Sequence, residues 1–357
     1  MKPTEAPIPS ENKQRQGSDH YIIAGPCSAE SREQVLATAR EVAQLGINWF
    51  RAGIWKPRTS PDSFEGIGSP ALEWMAEVKK EFGLRGAIEV ANARHVEEAL
   101  AYGIDLLWIG ARSTVNPFTV QEIADSLRGV DVSVMIKNPI NPDVELWTGA
   151  VERILRTGLK SVFACHRGFD VYGKSVYRNA PLWELPIELK RRFPSIPMIC
   201  DPSHISGIPS FISMISQKAL NLGFEGLMIE THRNPEEALS DKQQQLTPTQ
   251  LQKLLDSLQW KQSHTENADY HNRISIMRDA IDEIDEKLLD LLSARMETSM
   301  RIGFLKKENN LPFYQYDRWS EILRHCSSHA EELGLHEDFV LKLFSMFHLE
   351  SIDIQGE

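Results

Sequence analysis

Within its first 235 residues the chain repeats one pattern eight times, a short apolar run that stops at polar, mostly charged residues. The runs are Tyr21–Ala24 into Gly25-Pro26-Cys27-Ser28, Trp49-Phe50 into Arg51, Ala87-Ile88 into Glu89, and Leu106–Ile109 into Gly110-Ala111-Arg112. Val132–Ile136 into Lys137, Val162–Cys165 into His166-Arg167, Met198–Cys200 into Asp201-Pro202-Ser203-His204, and Gly226–Ile229 into Glu230-Thr231-His232 complete the set. Runs this short, rich in Ile, Val, Leu and Phe, suit strands buried on both faces of a parallel sheet. Each is followed by a stretch long enough for a helix. Eight such units close into an α/β (β/α)₈ barrel, whose active site lies at the carboxyl ends of the strands. The polar residues fall at those ends.

The expected helices are 31–45, 70–82, 94–102, 118–127, 144–156, 182–192, 209–222 and 248–258. Ser31 with Gln34 fits a capping box, Asn116-Pro117 a helix start, and Thr247 a cap. A barrel needs about 250 of the 357 residues, leaving roughly 100 for a second unit. The expected division is a loose polar tail at 1–18, the barrel at 19–258, a polar linker at 259–272 and a helical segment at 273–357. In that segment Ile274, Met277, Ile281, Ile284, Leu288, Leu291, Ile302 and Leu305 recur at spacings of three and four without proline. They predict one helix, roughly 45–50 Å long. Leu311-Pro312 breaks it, and two further helices are expected at 316–328 and 337–352.

A net charge of −11 argues against general nucleic-acid binding. No apolar stretch approaches the ~20 residues that span a bilayer. Residues 1–17 lack the apolar core of an export signal. Cys27, Cys165, Cys200 and Cys326 show no paired spacing, so reduced thiols and a cytoplasmic location are expected.

Against this acidic background Arg51, Lys56, Arg58, Arg112, Lys137 and Arg167 gather at or just beyond predicted strand ends. Loop cations are often merely solvated, but such a gathering at one mouth points to a phosphate or carboxylate ligand. A second set sits on neighbouring strands of the closed barrel: Cys27 after strand 1, His204 at the end of strand 7, Glu230 at the end of strand 8, and Asp241 in the loop beyond. One thiolate, one imidazole and two carboxylates suit a divalent first-row metal, Mn²⁺ first, with Co²⁺, Fe²⁺ or Zn²⁺ as alternatives. A lone cysteine is more often a small core residue, and that is the reading for Cys165 and Cys200.

Gly25-Pro26-Cys27-Ser28-Ala29-Glu30-Ser31, Arg51 with Lys56-Pro57-Arg58-Thr59-Ser60-Pro61, Gly110-Ala111-Arg112 and Asp201-Pro202-Ser203-His204 resemble the type I beta 3-deoxy-D-arabino-heptulosonate 7-phosphate (DAHP) synthases over about 18–258. The Gly-Pro-Cys motif is shared with 3-deoxy-octulosonate 8-phosphate synthases, but that sister family tends to carry Lys-Ala-Asn-Arg where this chain has Lys-Pro-Arg-Thr. This chain departs from the family in having His166 where Glu is frequent, and in Asn138-Pro139-Ile140-Asn141-Pro142. The resemblance implies a condensation of phosphoenolpyruvate with erythrose 4-phosphate. Arg112, with Ala111 beside it, and Arg167 would clamp the phosphoenolpyruvate phosphate. Lys137 and Arg51 would serve its carboxylate. Lys56, Pro57, Arg58, Thr59 and Ser60 would hold the sugar phosphate, and Lys56 is also a candidate proton donor.

In the helical segment the apolar stripe from Ile284, Leu288 and Leu291 runs onto Arg295 and Thr298 before Ile302 resumes. A charge there must snorkel or meet a buried anion. Lys306 lies about 16 Å further along the same side. Met277-Arg278, Ile284-Asp285-Glu286-Lys287-Leu288-Leu289, Arg295, Gly303, Lys306, Arg318, Ser351 and Gln355 resemble the all-helical chorismate mutases over about 273–355. The resemblance implies that Arg278, Arg295, Lys306, Arg318, Ser351 and Gln355 bind chorismate, with Gln315 where some members have Asp. Arg278 and Lys306 are roughly 42 Å apart on one helix, so Arg278 must serve a partner chain, in an intertwined homodimer. A bifunctional enzyme of aromatic amino-acid biosynthesis is therefore expected, with prephenate as product and feedback ligand of the helical domain. The alternative is an octulosonate-type synthase with a non-catalytic dimerisation or regulatory tail.

Overall fold

The computed structural model describes residues 20–57, 62–173, 175–262 and 265–356. The tail expected at 1–18 lies outside the described residues. The chain divides into two compact units, 1–263 and 264–357.

In the first unit the elements follow as β1 (Tyr21–Gly25), α1 (Arg32–Gln44), β2 (Trp49–Arg51), α2 (Pro70–Phe82), β3 (Arg85–Val90), α3 (Ala93–Ala101), β4 (Leu106–Ile109), α4 (Ala111–Thr114) and α5 (Pro117–Ser126). Then come β5 (Ser133–Lys137), α6 (Val144–Leu155), β6 (Val162–His166), α7 (Glu184–Arg192), β7 (Met198–Cys200), α8 (Pro202–Ser206), α9 (Pro209–Asn221), β8 (Gly226–Glu230) and α10 (Pro248–Ser257). Each strand pairs in parallel with the next, and β1 closes on β8, with Gly25 opposite Glu230. The closure sets β1, β7 and β8 side by side, as the candidate metal ligands require.

Both faces of the strands are buried, which explains their unbroken apolar runs. Ile23, Trp49, Trp108, Phe163, Cys165 and Met228 fill the barrel interior. The alternate residues, Cys200 among them, join a larger core beneath the helices. Both strand cysteines are therefore core residues. Phe163 and Cys165 point inward, so Ala164 and His166 point outward. His166 packs among Phe169, Trp183 and Phe224 rather than entering the barrel mouth.

Helix limits follow the caps. Thr247 and Gln250 form a reciprocal capping box. Ser31 accepts from the Gln34 N–H, but the Gln34 side chain accepts from the Glu30 N–H instead of closing a box on Ser31. The short helices α4 and α8, and 3₁₀ turns at Pro235–Glu237 and Lys242–Gln244, lie in the functional loops and were not anticipated.

The second unit is helical throughout: α11 (Ala268–Glu308), α12 (Tyr316–Glu332) and α13 (Glu337–Gly356). Helix α11 starts five residues before the expected Arg273, inside the expected linker, because Asn267 caps it by accepting from the Tyr270 N–H. At 41 residues it extends about 60 Å, longer than expected. Its face toward α13 is Arg295, Met296, Ser299, Gly303 and Lys306. A Cβ on Gly303 would sit 2.8 Å from the Gln355 Cα, so glycine permits this close packing. The expected inward stripe is instead uncovered in the single chain: Ile281, Ile284, Leu288 and Leu291 are 51–68% exposed. None of the described helices is long and apolar enough to cross a membrane.

Candidate active sites

At the carboxyl end of the barrel, donor atoms of Cys27, Glu230 and Asp241 all lie within 4.8 Å of one another. The Cys27 thiol donates to Asp241 Oδ2 at 3.3 Å. His204 stands beside the cluster, its Nε2 3.7 Å from Glu230 Oε1. The sequence thus brought three of its four expected ligands together, with the fourth adjacent. Burial pushes the Cys27 thiol up to about 12 and Glu230 adds to this, so the thiol is neutral until a cation arrives. His204 is lowered by burial and held neutral, as an imidazole ligand must be. A soft sulfur, a neutral imidazole and two carboxylates fit a first-row divalent ion.

Lys56 Nζ donates to Cys27 Sγ at 2.8 Å and to the Cys27 carbonyl at 3.0 Å. Burial disfavours its charge, but Cys27 and Glu230 outweigh burial and raise its proton affinity. Pro57 follows it at the last described position of this loop, while Arg58, Thr59 and Ser60 lie outside the described residues. Arg51 is fully buried; it donates to Glu230 Oε1 at 3.0 Å and lies 5.0 Å over the Trp108 ring. Lys137 donates to Asp201 Oδ2 at 2.7 Å and faces the same ring. Asp201, not singled out from sequence, is the hub: burial opposes its charge, yet His204, Lys137 and Arg51 hold its carboxyl well below the usual range.

Arg167 is buried and donates to Asn179 Oδ1 at 2.7 Å. Burial pulls its guanidinium down to about 10, and nearby Arg178 and Arg112 add to the depression against Asp201. Arg112, with Ala111 before it, is on α4 after β4. A buried guanidinium with other cations nearby suits a site that takes an anion. Sequence reasoning missed Arg178, Asn179 and Gln244. They lie in long loops where no periodicity marks them.

In the helical unit Arg295 donates to Ser351 Oγ and to the Phe347 carbonyl. Lys306 Nζ donates to Gln355 Oε1 at 3.1 Å and to the Phe313 carbonyl. Ser351 and Gln355, one turn apart on α13, therefore meet cations three turns apart on α11. Arg295 and Arg318 line one cavity of about 640 Å³ between α12 and α13. Gln315 is the exposed N-cap residue of α12, and Arg318 also pairs with Glu321 at 3.0 Å. Arg278 is exposed ten residues into α11, away from this group. His348, unforeseen, stacks on Trp319 at 4.1 Å, and its Nε2 lacks a partner. Burial lowers its pKa, and Arg295 and Lys306 lower it further.

Fold and geometry define a (β/α)₈ barrel protein with a thiol–carboxylate cluster inside a ring of cations, joined to a helical unit with a cationic site of its own. Residues 5–267 match the family model described as DAHP synthetase I family, and residues 277–356 match Chorismate mutase type II. The chain belongs to the DAHP synthetase I family and carries a chorismate mutase type II domain after the barrel. It is 33% identical over 225 residues to a phospho-2-dehydro-3-deoxyheptonate aldolase of Thermotoga maritima, covering 63% of this chain and 64% of that one. It is 28% identical over 244 residues to a 2-dehydro-3-deoxyphosphooctonate aldolase of Francisella tularensis subsp. holarctica, covering 63% of this chain and 85% of that one. The crystal structure of the Thermotoga phospho-2-dehydro-3-deoxyheptonate aldolase superposes with a TM-score of 0.60 at 29% identity, over 66% of this chain and 67% of that one.

Proposed function

We propose that the chain is bifunctional, condensing phosphoenolpyruvate with erythrose 4-phosphate in the barrel and rearranging chorismate to prephenate in the helical unit. The observation that carries the first activity is the cluster of Cys27, Glu230 and Asp241 beside Lys56, ringed by buried cations. Arg112 and Arg167 take the phosphoenolpyruvate phosphate, and Lys137 and Arg51 its carboxylate. Lys56, with Pro57, Arg58, Thr59 and Ser60, takes the aldose phosphate. Cys27, His204, Glu230 and Asp241 would hold a divalent ion, Mn²⁺ first, which would supply Lewis acidity when bound. Carbon 3 of phosphoenolpyruvate bonds to the aldehyde carbon, and the Lys56 ammonium gives a proton to the oxygen formed there. Water adds at the electron-poor carbon 2 and returns one proton to Lys56. The bond from carbon 2 to the phosphate oxygen then breaks, inorganic phosphate leaves with the second proton, and a ketone remains. Two anions held side by side in one cationic pocket account for much of the rate. Phosphate release from the metal-supplied full chain, with erythrose 4-phosphate against arabinose 5-phosphate, tests this reading. Preference for the five-carbon sugar would favour the octulosonate alternative.

Chorismate rearrangement needs neither nucleophile nor metal. It needs donors that hold the folded conformer and meet charge on the ether oxygen. Arg295, Lys306 and Gln355 are such donors, Arg318 and Ser351 add to them, and Gln315 replaces a carboxylate at the ring hydroxyl. The uncovered stripe of α11 supports a homodimer in which a second copy covers it and supplies Arg278. Prephenate bound in this unit slows the condensation in the full chain, a coupling of about 1–3 kcal/mol. Initial condensation rates with and without prephenate test it, and unchanged rates would remove the regulatory role. A reduced cytoplasm fits the unpaired cysteines.

A further inference from the structure

We infer that Arg178 is a positioning residue for the metal ligands, fixing the loop after β8 so that Asp241 and Glu230 face Cys27. The inference rests on the metal reading above. Arg178 comes from the loop between β6 and α7 and is not itself one of the four proposed metal ligands. Its guanidinium divides between two residues of the β8–α10 loop. One terminal nitrogen donates to Gln244 Oε1 at 2.6 Å, and the other donates to Asp241 Oδ1 at 3.2 Å. Gln244 in turn donates through Nε2 to Glu230 Oε2 at 2.7 Å. Each cluster carboxylate thus has one oxygen tied, directly or through Gln244, to a single guanidinium. In Asp241 this leaves Oδ2 toward the Cys27 sulfur at 3.3 Å. In Glu230 it leaves Oε1 toward Arg51 and His204.

Two backbone features point the same way. Asp241 has φ +46°, a left-handed conformation that an L-residue other than glycine keeps only when its surroundings hold it. Arg178 is itself held: its N–H donates to the Ser206 carbonyl at 3.3 Å. Gly207 next to Ser206 has φ +74°, and a Cβ there would come 2.6 Å from the Arg178 Cβ. The short helix that bears His204 therefore seats Arg178, and Arg178 seats Asp241 and Gln244. The three proposed ligands other than Cys27 are linked through it, His204 by way of its helix.

A guanidinium near a dication also repels it. The Arg178 side chain is 43% exposed, so water screens that repulsion, while its hydrogen bonds act directly on the ligands. Orientation should dominate, and loss of such a partner typically weakens metal binding about 10–100-fold. The test is titration of the metal-stripped full chain with Co²⁺, read by the thiolate-to-cobalt absorption band. Arg178→Gln should raise the Co²⁺ dissociation constant about 10–100-fold. Arg178→Lys should recover only part, because one ammonium cannot span both acceptors. Gln244→Ala should shift the constant similarly, and the double variant should add little. Thermal unfolding of the metal-free variants should match that of the parent, which separates positioning from general stability. Unchanged or tighter Co²⁺ binding in Arg178→Gln and Gln244→Ala overturns the inference. A parent chain with no Cys27-dependent band overturns the metal reading itself, and a normal band untouched by either variant overturns only the role of Arg178.

Discussion

His166 gives the barrel a built-in acid sensitivity that can be worked out in advance. Its ring is fully buried among Phe169, Trp183 and Phe224, and a hydrogen bond to the Pro181 backbone favours the charged ring without offsetting burial. Burial lowers its pKa to about 3, and the Arg167 charge contributes in the same direction. In the unfolded chain the value is about 6.5. The native state therefore holds the neutral ring while the unfolded state gains a proton as pH falls. Stability is fully present above the unfolded value and is lost on the way down toward the folded one. Each pH unit between the two is worth about 1.4 kcal/mol. At pH 4.5, still above the folded pKa, the loss depends on the unfolded value alone and comes to about 2.7 kcal/mol, a large share of a domain's stability. His166→Leu fills similar space and removes the titration. Urea unfolding of the full chain at pH 7 and 4.5 compares the two proteins, and all tryptophans except Trp319 report on the first unit. The parent should lose about 2.5 kcal/mol more stability than His166→Leu on acidification, whatever other groups contribute to both. Parallel losses would refute the reasoning and mean that the ring protonates within the fold.

Chelation with EDTA, or Cys27→Ala, should abolish the condensation and leave chorismate turnover largely intact; full condensation activity in a metal-stripped sample would contradict the cluster's role. Arg295→Ala should lower chorismate turnover on the order of a hundredfold or more without unfolding the barrel, measured by chorismate loss and by circular dichroism. Arg278→Ala and Lys306→Ala chains, each inactive as a mutase, should regain activity on mixing, and no gain in verified heterodimers would count against a shared site. Gly303→Val should push α13 off α11, costing about 1–3 kcal/mol in the helical transition together with mutase activity; an unchanged melting profile would count against the tight packing at Gln355.

The sequence made the barrel legible because burial on both faces leaves strands with a compositional signature that needs no partner to be read. The catalytic loops carry no such signature. Cys27, His204, Glu230 and Asp241 stood out by chemical type and by the expected neighbourhood of β1, β7 and β8. Arg178 and Gln244 did not, since their importance lies in hydrogen bonds across 66 residues between two irregular loops. Asp201 was visible only as part of a motif, although Lys137, His204 and Arg51 all converge on its carboxylate. The helical segment shows the opposite case. Its periodicity predicted α11 well, but a period reports that a face must be covered, not which chain covers it. Arg295 and Lys306 turn toward α13 within one chain, while Ile281 through Leu291 remain open. Both observations fit the proposed dimer, in which the carboxyl half of α11 would build the site of its own chain and the amino half, with Arg278, would serve the site of another. A variant that polarises only the open half, such as Leu288→Glu, therefore distinguishes dimer from local fold. It should lower the assembled mass and chorismate turnover together, and retention of both would show that the amino half of α11 has no partner to cover it.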